Sequence, residues 1–298
     1  MKFKSMLVVL GLVCSTAYAE LPKIINVYSS AIAGAKTDSC RIVMDMYEKQ
    51  YNTQVNWMIK PGAEGHIALL AASQDSNFSL VCGSPSDLVF NNAKFPGHEL
   101  TYSDLTAVAI LFQGPLSFYT GDKNPYSDLP KMLESKKTIN VGHHSPGSKV
   151  IAEQVFKTYP GLDVNWVLYK AALDSFSQLK DGSLDIYLSS GSFEEHVKSG
   201  QLKSLGFING DKTIMGPDLS KRFPVAASIP ALTISLIAFK SKSNMADLIE
   251  FNRRLQPIIT NPEVAEKAKK MAQFPLPGTI QQSNLHYENF RKFNEKVK

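Results

Sequence analysis

Two adjacent histidines, His143 and His144, are the side chains best suited to chemistry in this 298-residue sequence. They follow the apolar run 138–141, which is typical of a β-strand. Two imidazoles could hold a metal ion, but neighbouring side chains of an extended segment point in opposite directions. The pair therefore favours a loop in which a histidine donates a hydrogen bond to a ligand, and we expect no metal site there.

Enzyme signatures are missing from the sequence. It has no phosphate-binding Gly-x-x-x-x-Gly-Lys-Ser/Thr loop, no Gly-x-Ser-x-Gly elbow, no Gly-x-Gly-x-x-Gly turn and no His-Glu-x-x-His motif. The acidic pair Glu194 and Glu195 opens a predicted helix, where negative charge is favourable without any catalytic role. We therefore predict that the protein is not an enzyme and uses no cofactor.

Loops of Gly, Ala and Ser follow several predicted strands. The first spans 29–35 after the strand 24–28, and others lie at 82–86, 142–148 and 189–192. Small side chains let a ligand approach the backbone closely, and backbone N–H groups before a helix attract an anion. The joint placement of these loops at strand ends indicates a site for a carboxylate.

The elements that carry these loops alternate between strands and helices. Short β-branched runs predict the strands, and apolar residues at helical spacing, such as Ile42, Val43 and Met46, predict the helices. Thr37 and Asp38 are the expected N-caps of the first helix. This alternation with short loops is typical of an α/β protein.

The N-terminus has the pattern of a cleavable export signal. Lys2 and Lys4 precede an apolar run of about eight residues, which is too short to span a bilayer of about 30 Å. A small-x-small pattern ends at Ala19, so we predict a signal peptide over residues 1–19, cleavage after Ala19 and a periplasmic mature protein. A retained membrane anchor and lipidation of Cys14 are the alternatives.

The mature chain is long for one hydrophobic core, so two domains are expected. The turn-rich stretch 120–125 marks the predicted crossing into the second domain. We predict a first lobe of residues 20–120 and 231–298, a second lobe of residues 121–230, and a ligand cleft between them.

Charge and cysteine content narrow the partners and the compartment. Removal of Lys2 and Lys4 with the signal lowers the formal net charge from +5 to +3. The remaining basic residues are scattered, as on a solvated surface, so we expect no nucleic-acid partner. Cys40 and Cys82 remain after cleavage, and an exported compartment permits a disulfide between them; two buried thiols are the alternative.

Several stretches of the sequence resemble the substrate-binding receptors of tripartite tricarboxylate transporters, also called Bug-type receptors. Residues 33–38, Ala-Gly-Ala-Lys-Thr-Asp, are similar to the first loop of that family. Residues 60–68, Lys-Pro-Gly-Ala-Glu-Gly-His-Ile-Ala, are similar to its Arg-Pro-Gly-Ala-Gly-Gly-Asn-Ile-Ala segment. Residues 169–170 and 181–186 resemble its Tyr-Lys-Gly and Gly-Gly-Gln-Val-Asp-Val segments, and residues 198–205 resemble Lys-x-Gly-x-Leu-Arg-x-Leu.

The resemblance implies a type II periplasmic-binding-protein fold, in which two α/β lobes close on a small organic acid. It also implies delivery of that acid to membrane permease subunits, and we expect the receptor to be a monomer. A dicarboxylate is the default ligand of the family. Carried over by position, the ligand contacts would come from Ala33, Gly34, Ala35, Thr37, Asp38, Ser84, His143, His144, Gly147, Ser148, Ala172 and Ser189.

The sequence departs from the family at several of these positions. Ala35 replaces a glycine and would be strained if that position needs a positive φ. Glu64 also replaces a glycine, and Ser189 stands where the family often has Asp. His143 and His144 replace small hydroxyl residues, which makes a larger or aromatic acid the alternative to a dicarboxylate.

Three functions are compatible with these patterns. An uptake receptor that delivers a carboxylate to a permease is favoured. A receptor of the same fold that signals to a membrane sensor is the main alternative, and permease or kinase genes beside it would separate the two. An exported enzyme on the same fold is disfavoured because the sequence has no catalytic set.

Overall fold

The structure is a computed structural model, and it describes residues 21–62, 65–84, 104–144, 146–210 and 216–297. The predicted signal peptide and Glu64 lie outside these residues. The strands are β1 (Ile24–Ser29), β2 (Gln54–Ile59), β3 (Ser79–Gly83), β4 (Leu105–Gly114), β5 (Leu116–Gly121), β6 (Thr138–His143), β7 (Asp163–Leu168), β8 (Ile186–Ser189), β9 (Leu202–Ile208), β10 (Leu232–Phe239) and β11 (Phe274–Pro275). The helices are α1 (Ala35–Tyr51), α2 (His66–Gln74), α3 (Leu129–Ser135), α4 (Pro146–Phe156), α5 (Phe176–Asp181), α6 (Glu194–Lys198), α7 (Met245–Ile259), α8 (Pro262–Lys269) and α9 (Ile280–Val297).

Two sheets organise the described part of the chain. The first has the strand order β11-β4-β10-β3-β1-β2 and the second has the order β7-β6-β8-β5-β9. In each sheet three strands run parallel, β2-β1-β3 and β7-β6-β8, and the next strand, β10 or β5, is antiparallel to them. The carboxyl ends of the three parallel strands therefore meet at one edge of each sheet.

Each sheet has its own hydrophobic core, and the two cores define a first and a second lobe. Val27 of β1 and Leu80 of β3 pack with Val43 of α1 in the first core. Val141 of β6 packs with Ile151 of α4 in the second. All five side chains are fully buried. The two-lobed α/β architecture predicted from the sequence is thus confirmed.

The chain crosses between the lobes earlier than we predict from the turn-rich stretch 120–125. Strand β5 pairs with β8 and β9 and so lies in the second sheet. Only Pro115 separates β5 from β4 of the first sheet. Pro has no N–H to donate to a neighbouring strand, so the hydrogen-bonded ladder is interrupted at this residue. The predicted lobe boundary at residue 120 consequently falls inside β5.

Helix α9 packs against both lobes. Near its start, Ser283 and Asn284 bind β4 of the first sheet: the Ile110 N–H donates to Ser283 Oγ at 3.2 Å and the Ala107 N–H to Asn284 Oδ1 at 3.1 Å. Near its end, Phe290 and Phe293 lie in the second core. This helix is therefore a link between the lobes, although the sequence-based division places all of it in the first.

Candidate ligand-binding site

The first small-residue loop connects β1 to α1 and has an exposed backbone. Ala33 and Gly34 are exposed, and Gly34 is the N-cap of α1 with a φ of 120°. The helix begins at Ala35, earlier than the capping residues Thr37 and Asp38 that we predict from the sequence. Ala35 does not have a positive φ, so the strain considered for this replacement is absent. The loop thus presents backbone N–H groups at the positive end of a long helix.

Two polar side chains of this loop make their hydrogen bonds inside it. The Thr37 hydroxyl is buried, donates to the Ala31 carbonyl at 3.1 Å and lies 2.8 Å from Ser29 Oγ. The Asp38 carboxylate accepts a hydrogen bond of 3.0 Å from the Gly34 N–H. Both side chains therefore shape the loop, and their contact with a ligand stays a prediction.

A disulfide fixes α1 to the end of β3. Cys40 of α1 and Cys82 of β3 are bonded, with their Cα atoms 6.2 Å apart. Ser84, a predicted ligand residue, is half-buried and begins the loop that follows β3. The sequence left open a disulfide or two free buried thiols, and the structure has the disulfide. The bond holds the loop before α1 close to the loop after β3.

In the second lobe, the two histidines at the end of β6 have different aromatic neighbours. His143 is buried and its ring lies edge-on to Trp166, with centroids 5.8 Å apart. The half-buried His144 ring stacks on Tyr187 at 6.1 Å, and its Nδ1 lies 2.9 Å from Tyr187 Oη. Burial raises the pKa of Tyr187, so the phenol keeps its proton and can hydrogen-bond the imidazole. The two imidazoles are thus set apart, as the extended backbone predicts.

Glycine at position 142 makes this aromatic group possible. A Cβ there would lie 2.7 Å from the Tyr187 ring and 2.8 Å from the Tyr169 ring. These distances are shorter than carbon atoms tolerate, so any side chain would push the rings away from His144. The sequence indicated a small-residue loop at this point, but not that an aromatic cluster requires it.

The remaining predicted ligand residues lie at the same edge of the second sheet. Gly147 and Ser148 are buried in the first turn of α4, and Ala172 opens a 3-10 turn over Ala172–Ser175 after β7. Ser189 ends β8 and is buried; its hydroxyl donates to Ser192 Oγ at 2.6 Å and accepts from the Ser192 N–H at 3.2 Å. The structure therefore brings these residues to the carboxyl ends of β6, β7 and β8.

Gln273 is a residue of the site region that the sequence did not indicate. Its buried side-chain amide, between α8 and β11, donates to the Ser190 carbonyl of the second lobe at 2.7 Å. The neighbouring Gly191 is so close that a Cβ there would lie 2.0 Å from the Met271 carbonyl oxygen. The loop after β8 is therefore bound directly to the first lobe.

We predict that Glu194 only places favourable negative charge at the start of a helix, but in the structure it also makes a specific hydrogen bond. The carboxylate is buried and accepts a hydrogen bond of 2.7 Å from the hydroxyl of Tyr119, a residue of β5. Burial raises the pKa of Tyr119, so this phenol remains a donor. The pair ties the loop after β8 to the strand that enters the second lobe.

Two further properties concern the described residues alone. No group of three His, Cys, Asp or Glu side chains in them is arranged as metal ligands would be. None of their helices combines the length and the apolar character that crossing a bilayer requires.

Comparison with known proteins finds one curated relative and a set of structures with the same fold. No protein-family model matches the chain. A UPF0065 protein of Bordetella bronchiseptica is 25% identical over 257 residues, which are 82% of this chain and 75% of that protein.

Two solved structures show the same fold over nearly the whole chain. MatC from Rhodopseudomonas palustris, solved with bound malate, has a TM-score of 0.76 at 16% identity and covers 92% of this chain and 98% of its own. The periplasmic binding protein BugD has a TM-score of 0.75 at 14% identity and covers 94% and 98%. The chain therefore has the type II periplasmic-binding-protein fold, and its resemblance to the Bug-type receptors of tripartite tricarboxylate transporters is confirmed.

Proposed function

We propose that the protein is a periplasmic solute-binding receptor that captures a small organic acid between its lobes and delivers it to the permease of a tripartite tricarboxylate-type transporter. The observation that carries this proposal is the repeated arrangement of the two sheets. In each, three parallel strands end at one edge, and two of the three are followed by loops rich in small residues: β1 and β3 in the first sheet, β6 and β8 in the second. Malate bound to MatC, a protein of the same fold, supports a carboxylate as the ligand.

The proposed binding mode relies on the backbone more than on charged side chains. The exposed loop around Gly34 precedes a helix of 17 residues, and the positive end of this helix attracts an anion, although the Gly34 N–H itself already donates to Asp38. On the second lobe, the start of α4 and the two histidines supply further donors. A ligand that contacts both lobes favours their closed arrangement, because only that arrangement provides all of its contacts.

Delivery rather than catalysis is the proposed outcome of binding. The receptor would release its ligand unchanged to permease subunits, and no step of the proposal needs a cofactor or a nucleophile. Export with cleavage after Ala19 would bring the mature chain to the compartment in which such receptors meet their ligands.

A thermal-shift screen of the mature protein against organic acids, amines and sugars tests this proposal. A true ligand at 100 times its Kd stabilises the folded state by about 2.7 kcal/mol, which raises the melting temperature measurably. We expect one or more carboxylates to do so without chemical change, as checked by chromatography of the recovered ligand. A melt that shifts with a sugar or an amine but with no acid would contradict the proposal.

A further inference from the structure

Four large apolar side chains are exposed at the strand ends where the proposed ligand binds. Ile32 follows β1 and is 71% exposed, and Ile67 in the first turn of α2 is 43% exposed. In the second lobe Leu168, the last residue of β7, is 58% exposed and Leu173 is 62% exposed. We call these four side chains the rim residues; each lobe contributes two.

Their position distinguishes the rim residues from ordinary surface exposure. Single exposed apolar residues are common on proteins, whereas apolar side chains grouped at a binding edge indicate contact with an apolar surface. Other exposed large apolar residues of the described chain include Ile249 and Leu285, which lie within α7 and α9 rather than in the loops after the parallel strands. Since both lobes present aliphatic groups at the edge where they close, the ligand between them would meet apolar walls.

The second lobe adds the half-buried rings of His144 and Tyr169 to these walls, and both rings contact the fully buried Tyr187. The rings of His144, Tyr187 and Tyr169 form one cluster, in which Tyr169 lies edge-on to Tyr187 at 5.8 Å. Such ring surfaces are apolar on their faces and pack well against a ring or an alkyl chain. The ring faces themselves, unlike the polar atoms at the ring edges, contribute little to the binding of a small, fully polar acid.

The polar side chains of the same loops offer few groups for a second carboxylate. The hydroxyls of Thr37 and Ser189 have partners within their own loops. Asp38 accepts from the Gly34 N–H, and Asp174 accepts from the Ala171 N–H at 3.0 Å. These two carboxylates add negative charge to the edge, which partly offsets the positive charge of lysines such as Lys170.

We infer that the ligand is a monocarboxylate with an apolar body, a ring or an aliphatic chain, rather than a short polar diacid. This inference rests on the proposed receptor function and specifies its substrate class. The single carboxylate would bind the backbone N–H groups of the loops, and the apolar body would pack between the rim residues and the aromatic cluster of the second lobe.

Titration calorimetry with benzoate, hexanoate and malate tests this inference on the mature protein and three variants. Ile32→Ser and Leu173→Ser each remove one exposed rim side chain, so folding should be retained, and circular dichroism would verify it. Leu285→Ser is the matched control, because Leu285 is 59% exposed and lies outside the rim. We expect benzoate or hexanoate to bind at least about tenfold more tightly than malate, and each rim variant to weaken that binding about tenfold. The control variant should leave it unchanged.

Two results would separate this inference from the function on which it rests. Tighter binding of malate, or rim variants that bind the apolar acids as well as the parent does, would overturn the monocarboxylate class while leaving a carboxylate receptor in place. If no acid binds but a neutral or cationic compound does, the proposed function and this inference are both overturned.

Discussion

The polar side chains of the ligand loops act mainly on their own backbone. Thr37, Asp38 and Ser189 each make hydrogen bonds within the loop that carries them. In the proposed binding mode, the ligand is held mainly by main-chain N–H groups, whose positions depend on the packing of the helices behind the loops. At the residue scale, we therefore expect the contacts that hold α1 in place to affect ligand binding.

Glu250 is one such contact. Its carboxylate on α7 is buried and accepts two hydrogen bonds of 2.7 Å from Arg253 and one of 2.8 Å from Arg254. The Arg254 guanidinium lies 5.0 Å from the ring centroid of Tyr51, the last residue of α1. The hydrogen bonds from Arg253 and Arg254 outweigh burial and lower the pKa of Glu250 from 4.5 to about 2.

Replacement of this carboxylate should cost stability in a pH-dependent manner. Because the folded-state pKa is lowered, the charged form stabilises the fold above pH 4.5, and this contribution disappears as the pH falls toward 2. We expect Glu250→Gln to lower the free energy of unfolding by about 2 kcal/mol at pH 7 and by less at pH 3, measured by urea denaturation. Glu263→Gln, in an exposed pair with Lys267, is the control and should change little at either pH. An equal loss at both pH values would contradict the role of the charge.

At the scale of elements, the disulfide between Cys40 and Cys82 determines how α1 sits on the first sheet. It joins the first half of the helix to the end of β3, so the loops before α1 and after β3 keep a fixed separation. Helix α9 connects elements that lie farther apart, since its first half packs on the first lobe and its second half on the second lobe.

Loss of this disulfide should lower stability strongly. The bond closes a loop with a sequence separation of 42, for which the chain-entropy model gives about 4 kcal/mol. We expect that loss in the double variant Cys40→Ala, Cys82→Ala, measured by urea unfolding, together with weaker ligand binding. The parent protein unfolded in a reducing agent is the control and should show a similar loss. A loss below about 1 kcal/mol would mean that α1 is held by packing alone.

The elements also show what the sequence could and could not predict. Strand β10 could be predicted because its run of apolar and β-branched residues begins shortly after Pro230 and ends at Lys240. The crossing at Pro115 could not, since β4 and β5 are both apolar and no turn-rich stretch separates them. The contact of Gln273 with Ser190 joins residues 83 positions apart, and nothing local marks a glutamine as buried. Small-residue loops at the strand ends could be predicted from composition and order, and their role in ligand binding stays a prediction. The contact that fixes the loop after β8 to the first lobe depends on such long-range packing.

At the scale of the whole molecule, the lobes are joined at the loop after β8. Gln273 donates to Ser190, and Gly191 packs against Met271 without room for a side chain. Because this loop is bound to the first lobe, we expect it to lie near the axis of closure. The loops after β6 and β7 would then move farther when a ligand binds.

A pair of glycine variants would test this arrangement. Gly191→Ala should separate the lobes at the contact with Met271. Gly161→Ala is the matched control, because both glycines have a positive φ, 95° for Gly191 and 88° for Gly161. A Cβ at Gly161, however, would meet nothing within 4 Å. Strain in the backbone is therefore common to both variants. We expect Gly191→Ala alone to increase the radius of gyration in X-ray scattering and to weaken ligand binding. Equal effects of both variants would show that the contact has no part in lobe closure.

The place of β10 in the first sheet has a consequence for biosynthesis. This strand lies between β3 and β4, yet it begins at Leu232, more than a hundred positions after the strands that it joins. Until it has been made, the growing chain has a gap at the centre of its first sheet and cannot complete that core. Pairing between such distant segments is slow, because a long loop must close first. Late completion of the sheet would keep the nascent chain unfolded, which is the state that a secretion channel threads across a membrane.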